Sequence, residues 1–135
     1  VADGGVDLCH DNTSKFVTTS IGVQVKGTAN AAINTNTSAT GSVTLDFGSY
    51  QHFRLTATGN ITLANPSTEV SGCTGTIVII QDGSGSRTLS LGTDYETTSG
   101  SGITLSTAAG ATDLIPYFVL APGRILLGDV NKTFS

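Results

Sequence analysis

Methionine and tryptophan are absent from the chain, and cysteine (2), proline (3) and glutamate (2) are scarce. Two cysteines are too few for a disulfide framework or a four-thiolate metal site. A single bridge between Cys9 and Cys73 is geometrically possible; the alternative is two small apolar side chains that pack. Charge is thin as well, at 12% of the 135 residues, about half the usual share of a soluble domain. Six Lys and Arg stand against ten Asp and Glu, a net charge of −4 with no basic cluster, which argues against electrostatic nucleic-acid binding. No apolar run approaches the roughly 18 residues of a membrane helix, so no membrane insertion is expected. Beginning at Val1 with no Met and no signal-peptide pattern, the chain reads as a processed product or a fragment.

What fills the space is Thr (22), Gly (17), Ser (14) and Asn (7). Hydrophobic residues still reach 38%, enough to build a core and avoid disorder. Their spacing is period two. Ile21, Val23 and Val25 alternate with polar residues or glycine, as do Val43, Leu45 and Phe47, then Phe53, Leu55 and Ala57, then Leu89 and Leu91. That pattern predicts half-buried strands with Thr on the wet face. The runs Thr76–Ile80 and Tyr117–Leu120 are continuously apolar and predict strands covered on both faces. Ala121-Pro122-Gly123-Arg124 predicts a hairpin turn, Pro setting φ and Gly taking the positive φ. Pro116, without an N–H, predicts a strand start or an edge. Ser106–Asp113 offers at most one helical turn.

Turn signals every 8 to 12 residues favour an all-β, antiparallel β-sandwich, jelly-roll-like, over βαβ units. Residues 28–41 lack large apolar side chains and read as a linker. The expected organisation is an N-terminal β segment over 1–27, the linker, and a β-sandwich knob over 42–135. The first segment is too small to bury a core alone.

Catalytic constellations are missing from the sequence. There is no Gly-x-Ser-x-Gly and no HExxH; His10 and His52 are isolated. The acidic residues Asp82, Asp94, Glu96 and Asp113 sit at turn-like positions, where Asp satisfies backbone N–H groups. Asp82-Gly83-Ser84-Gly85-Ser86 spaces oxygen atoms as a calcium loop does but lacks the closing carboxylates. No metal, cofactor or enzymatic activity is expected. Tyr50 and Tyr95 lie in loop contexts and are the available glycan platforms, against the alternative that each caps the core with its hydroxyl wet.

Two stretches carry a resemblance. Val6–Thr28 presents Leu8, Asp11, Asn12, Lys15, Phe16, Thr18, Thr19, Gly22, Val23, Val25, Gly27 and Thr28 in a pattern that resembles a module of marine tailed-phage structural proteins, Cys9 standing where that family has Tyr. From Val43 onward, Leu45-Asp46-Phe47, Thr58-Gly59-Asn60-Ile61-Thr62-Leu63, Asn65-Pro66, Gln81-Asp82-Gly83 and the ending Asn131-Lys132-Thr133-Phe134-Ser135 are similar to C-terminal domains of phage tail fibres and other virion structural proteins. The resemblance implies a distal tail-fibre, receptor-binding domain on the virion, extracellular to the host, which adheres without turnover to a surface glycan or outer-membrane protein. The alternative is a capsid-associated head fibre or decoration protein. It implies a homotrimer among other virion proteins, the N-terminal segment being the end of a β stalk. Ile21, Val23, Val25, Ile79 and Phe118 are then the candidate trimer contacts. Loops Ser49–His52 and Thr93–Ser101, with Tyr50, His52, Asp94 and Tyr95, are the candidate receptor contacts.

Overall fold

A computed structural model describes residues 5–134; Val1 and Ser135, the ends of the chain as read above, lie outside the described residues. The chain divides into two compact units, Val1–Asn30 and Ala31–Ser135.

The first unit is an antiparallel three-stranded sheet of β1 (Asp7–His10), β2 (Thr13–Thr19) and β3 (Gly22–Val25). The β1–β2 turn places Asp11 and Asn12 at φ 51° and 55°, the left-handed conformation that Asp and Asn tolerate best. Pairing puts Leu8, Phe16 and Val25 in one cross-strand row. Little covers them: Val6, Leu8, Ile21, Val23 and Val25 are all exposed.

The second unit is one curled eight-stranded sheet. Its strands are β4 (Ile33–Thr44), β5 (His52–Ala64), β6 (Thr74–Gln81), β7 (Leu89–Leu91), β8 (Tyr95–Glu96), β9 (Thr112–Ala121), β10 (Arg124–Leu127) and β11 (Asn131–Phe134). The order is β4-β5-β6-β9-β10-β8, with β7 beside β5 and β11 beside β9. The protein is all-β and sandwich-like, as its alternation predicts. The strand directions differ from the expected antiparallel plan. β4, β5 and β6 run parallel, as do β5 with β7 and β8 with β10. Ile33 lies beside His52 and His52 beside Thr76, steps of 19 and 24 residues. Val43, Leu63 and Leu91 form a second such column. The chain thus passes three times around one core before β9 returns antiparallel along β6.

Columns of like-facing residues fill that core. Asn34, Phe53 and Ile77 share one column, and Asn36, Leu55 and Ile79 the next. Phe53, Leu55, Ile77 and Ile79 are at most 1% exposed. An aromatic group anchors them: Phe47 lies edge-on to Phe53 (5.1 Å) and to Tyr117 (4.9 Å), the geometry that ring quadrupoles favour.

Several expectations are corrected here. Residues 33–41 are strand rather than linker, because β4 borrows its pairing and burial from β5. Ile79 is buried in the core of its own chain and is not available to a trimer contact. The run Tyr117–Leu120 is covered on one face only, Phe118 and Leu120 being exposed while Tyr117 and Val119 are buried; in Thr76–Ile80 the second face is half-buried. Ser106–Ala111 contains no helical turn, and β9 begins at Thr112. Pro116 lies inside β9, where its carbonyl accepts from Gly128 N at 2.9 Å. In an antiparallel strand N and O of one residue face the same side, so the missing donor falls just past the end of β10. The hairpin at Pro122-Gly123 is as predicted, with Ala121 opposite Arg124 and Gly123 at φ 75°.

One glycine is required for a close approach. A Cβ on Gly75 would collide with the backbone of Gln51, the same carbonyl that accepts from the Tyr117 hydroxyl at 2.9 Å. Among the described residues, no helix is long and apolar enough to cross a membrane.

Candidate functional site

A recess of about 660 Å³ in the second unit opens beside the loop that follows β8. Leu89, Leu91, Tyr95 and Ile103 supply its apolar lining, and Ser90, Glu96, Thr97 and Ser101 its polar lining. The volume falls within the range of small-molecule sites. The loop is held by its own backbone. Thr97 O accepts from Gly100 N at 2.9 Å, Thr98 O from Ser101 N at 3.2 Å, and Thr97 Oγ1 from Gly102 N at 2.9 Å. Ser99, Gly100 and Gly102 take positive φ to allow it.

Glu96 is fixed at the rim by a two-pronged pair with Arg124, at 2.6 and 2.9 Å. That hydrogen-bonded guanidinium holds the Glu96 carboxyl below its ordinary value, the expected effect of a partner that binds the charged form. Asp94 is positioned by Asn65, whose Oδ1 accepts Asp94 N at 3.1 Å while its Nδ2 donates to Thr93 Oγ1 at 2.7 Å.

Of the four predicted receptor contacts, the structure keeps Asp94 near this recess and removes Tyr95 from solvent. Tyr95 is 6% exposed, pinned opposite Ile125 by the β8–β10 pairing and 6.4 Å from Phe47. Tyr50 is half-buried against Phe53 at 6.5 Å. Tyr95 belongs to the core, and Tyr50 packs partly buried against it. His52 opens β5 elsewhere, its Nδ1 2.9 Å from Thr76 Oγ1, in a smaller groove of about 400 Å³ that includes Ile33, Arg54 and Val78. The four residues therefore do not converge. Thr97 and Ser101 lie in the predicted loop Thr93–Ser101, whereas Ser90 and Ile103 were not singled out from sequence. Nothing local marks them, since the recess forms only when β7 stacks on β5.

The other acidic residues serve turns and seams. Asp82 Oδ1 accepts from Ser84 N and Gly85 N, both at 3.0 Å, and Arg87 grips the same carboxyl at 2.7 Å, which lowers its pKa. The calcium-like spacing around Asp82 thus closes a turn. Asp113 is 1% exposed and receives Ser106 N, Ser106 Oγ and Thr133 N. No three His, Cys, Asp or Glu gather into a metal-binding group among the described residues. Cys9 and Cys73 are both free thiols; burial, with Asp7 beside it, pushes the Cys9 thiol up.

Two tyrosines give this unit a defined alkaline limit. Burial pushes the Tyr117 hydroxyl up to about 12, with Cys73 adding to it. Burial, then Glu69 and Asp94, raises Tyr95 further. In the unfolded chain both ionise near the ordinary value of about 10. Folded stability is therefore intact below about pH 10 and falls as the pH rises through about 12, because the unfolded state gives up its protons first. The hydroxyls differ in a second respect. Tyr117 donates to Gln51 O, whereas the Tyr95 hydroxyl is buried with no partner. Tyr117→Phe is expected to cost about 1 kcal/mol at neutral pH. Tyr95→Phe is expected to cost nothing there and to move alkaline unfolding to higher pH. Urea melts of both variants at neutral and alkaline pH check this; a marked neutral-pH loss in Tyr95→Phe would reveal a partner for that hydroxyl.

No known protein family, curated protein or solved structure matches this chain.

Proposed function

We propose that the protein is a phage virion structural protein, the distal receptor-binding part of a tail fibre, which attaches the particle to a bacterial surface by binding rather than turnover. The recess beside the Thr97–Gly102 loop carries the reading. It combines an apolar floor with hydroxyl-bearing residues and a carboxyl already paired to arginine. That lining suits a neutral, hydroxyl-rich ligand such as a surface glycan, which needs apolar patches for its ring faces and many short polar contacts. The loop is tied to itself by its own hydrogen bonds, so little ordering entropy is lost on binding. Weak single contacts are multiplied by the several copies that a particle displays.

Flow cytometry of a panel of bacterial strains with the labelled chain tests this. A subset of strains is expected to bind, and Ser90→Trp with Ser101→Trp, which fills the recess, to abolish that binding. Full binding by the double variant would remove the recess from the proposal; no labelled strain at all would count against adhesion itself.

One observation favours the alternative of a head fibre or decoration protein. Val6, Leu8, Ile21, Val23 and Val25 of the first unit are exposed together, and an exposed apolar set of that kind is a docking surface. Gold-labelled antibody against the chain, viewed on whole particles, separates tail from capsid.

A further inference from the structure

His52 and Arg54 stand two residues apart on β5, their side chains on one face of the sheet. That spacing sets them roughly 7 Å apart along the strand. β4 and β6 flank them: Ile33 and Thr76 lie beside His52, and Thr35 and Val78 beside Arg54. These six residues, with Phe53, line the groove of about 400 Å³. Arg54 is exposed, and among the described residues it has neither a hydrogen bond nor an ion pair. The other two arginines of the chain, Arg87 and Arg124, are each gripped by a carboxylate. His52 engages Thr76 Oγ1 through Nδ1, which leaves Nε2 as the ring's remaining hydrogen-bonding atom.

An unmatched guanidinium stands out in a chain whose acidic residues outnumber its basic ones ten to six. No acidic residue occupies the paired positions around it. Beyond Thr76 and Val78 the same rows continue into Pro116 and Leu114 of β9. The sheet therefore supplies no counter-charge for Arg54. We propose that the groove binds an acidic sugar, a hexuronate, with its carboxylate held between Arg54 and His52. One carboxylate serves both partners, since each of its oxygens accepts at about 2.8 Å and the two together bridge that spacing.

The corners of the groove select the body of the ligand. Ile33 and Val78 lie on one diagonal across the basic pair, and Thr35 and Thr76 on the other. Apolar surface and hydroxyls thus alternate around the charge. A sugar ring alternates in the same way, with C–H faces between its hydroxyls. A fatty acid would set both threonines against a chain that offers them no hydrogen bond. Inorganic phosphate would leave the two aliphatic side chains without a partner, and Arg54 brings one permanent charge, the match for one carboxylate. The groove shares no lining residue with the recess beside the Thr97–Gly102 loop, so the inference stands apart from the receptor reading.

Titration of the isotope-labelled full chain with sodium glucuronate, followed by amide NMR, tests it. Saturable shifts are expected at Thr35, His52, Arg54, Thr76 and Val78, with Ser90 and Ile103 of the recess unmoved. Glucose, which lacks the carboxylate, is expected to leave the groove unmoved, and inorganic phosphate to bind more weakly than glucuronate. Arg54→Gln is expected to weaken glucuronate binding about tenfold or more. Arg54→Lys keeps the charge but loses the two-pronged donor, and is expected to fall between. The amide spectrum of each variant establishes that it is folded. Absence of saturable shifts in the groove with glucuronate overturns the proposal. So does equal binding of glucose, tighter binding of phosphate, or an Arg54→Gln chain that binds glucuronate as the wild type does. None of these readings uses a bacterium, so failure of adhesion and failure of the groove are told apart.

Discussion

Phe53→Ala is expected to lower the stability of the second unit by about 4 kcal/mol. The ring is 1% exposed and stands at the centre of the aromatic group, 5.1 Å from Phe47, 6.3 Å from Tyr117 and 6.5 Å from Tyr50. Removing it loses the transfer free energy of a large side chain and leaves a cavity that its neighbours cannot fill. Phe47 and Tyr117 hold each other edge-on, and Tyr117 is tethered to Gln51. The column neighbour Ile77 is fixed by its place between β5 and β9. For a unit of about a hundred residues such a loss corresponds to a fall in Tm of roughly 15–25 °C. Thermal melts followed by circular dichroism would show it; a fall of only a few degrees would mean that the core repacks.

Asp113→Ala is expected to cost about 3 kcal/mol and to act at a distance in sequence. The buried carboxyl gathers Ser106 N and Ser106 Oγ at 2.6 Å and Thr133 N at 3.1 Å. It therefore ties the stretch before β9 and the terminal strand β11 to one point on β9. Without it two part-buried backbone donors lose a charged acceptor, and hydrogen bonds to charged groups are among the stronger ones. Thr133 is also held at φ 62°, a strained conformation that persists only where its surroundings fix it. Hydrogen exchange of Asn131–Phe134 should accelerate in the variant well before global unfolding. Unchanged exchange there would show that pairing with β9 suffices to hold β11.

The alternation of Thr with aliphatic residues made the strands legible, and Pro122-Gly123 made the hairpin legible, because both are local properties. Strand direction is not local: period two tells which residues face the core and says nothing of a neighbour's polarity. The parallel passes do leave a trace. Ala39-Thr40-Gly41-Ser42-Val43-Thr44-Leu45 is echoed by Ala57-Thr58-Gly59-Asn60-Ile61-Thr62-Leu63, and a search for internal repeats would have found it. Residues 28–41 looked like a linker because Asn34, Asn36 and Ala39 are not apolar enough to announce a strand; their place in the core is given by the columns beneath them. The recess was half visible. Asp94 and the loop after it stood out as turn-rich, whereas the polar flanks of Tyr95 hid a two-residue strand that buries its ring.

The three passes around the core also set an order of folding. Steps of 19 and 24 residues mean that each pass finds its neighbour across a short loop, and short closures are entropically cheap and fast. β9 is different: it meets β6 only after excursions that reach from Thr74 to Phe118. As the chain emerges from the ribosome, the early passes can therefore register on one another while their far edge waits unpaired. The interval before β9 arrives is when this chain is most open to pairing with a wrong strand.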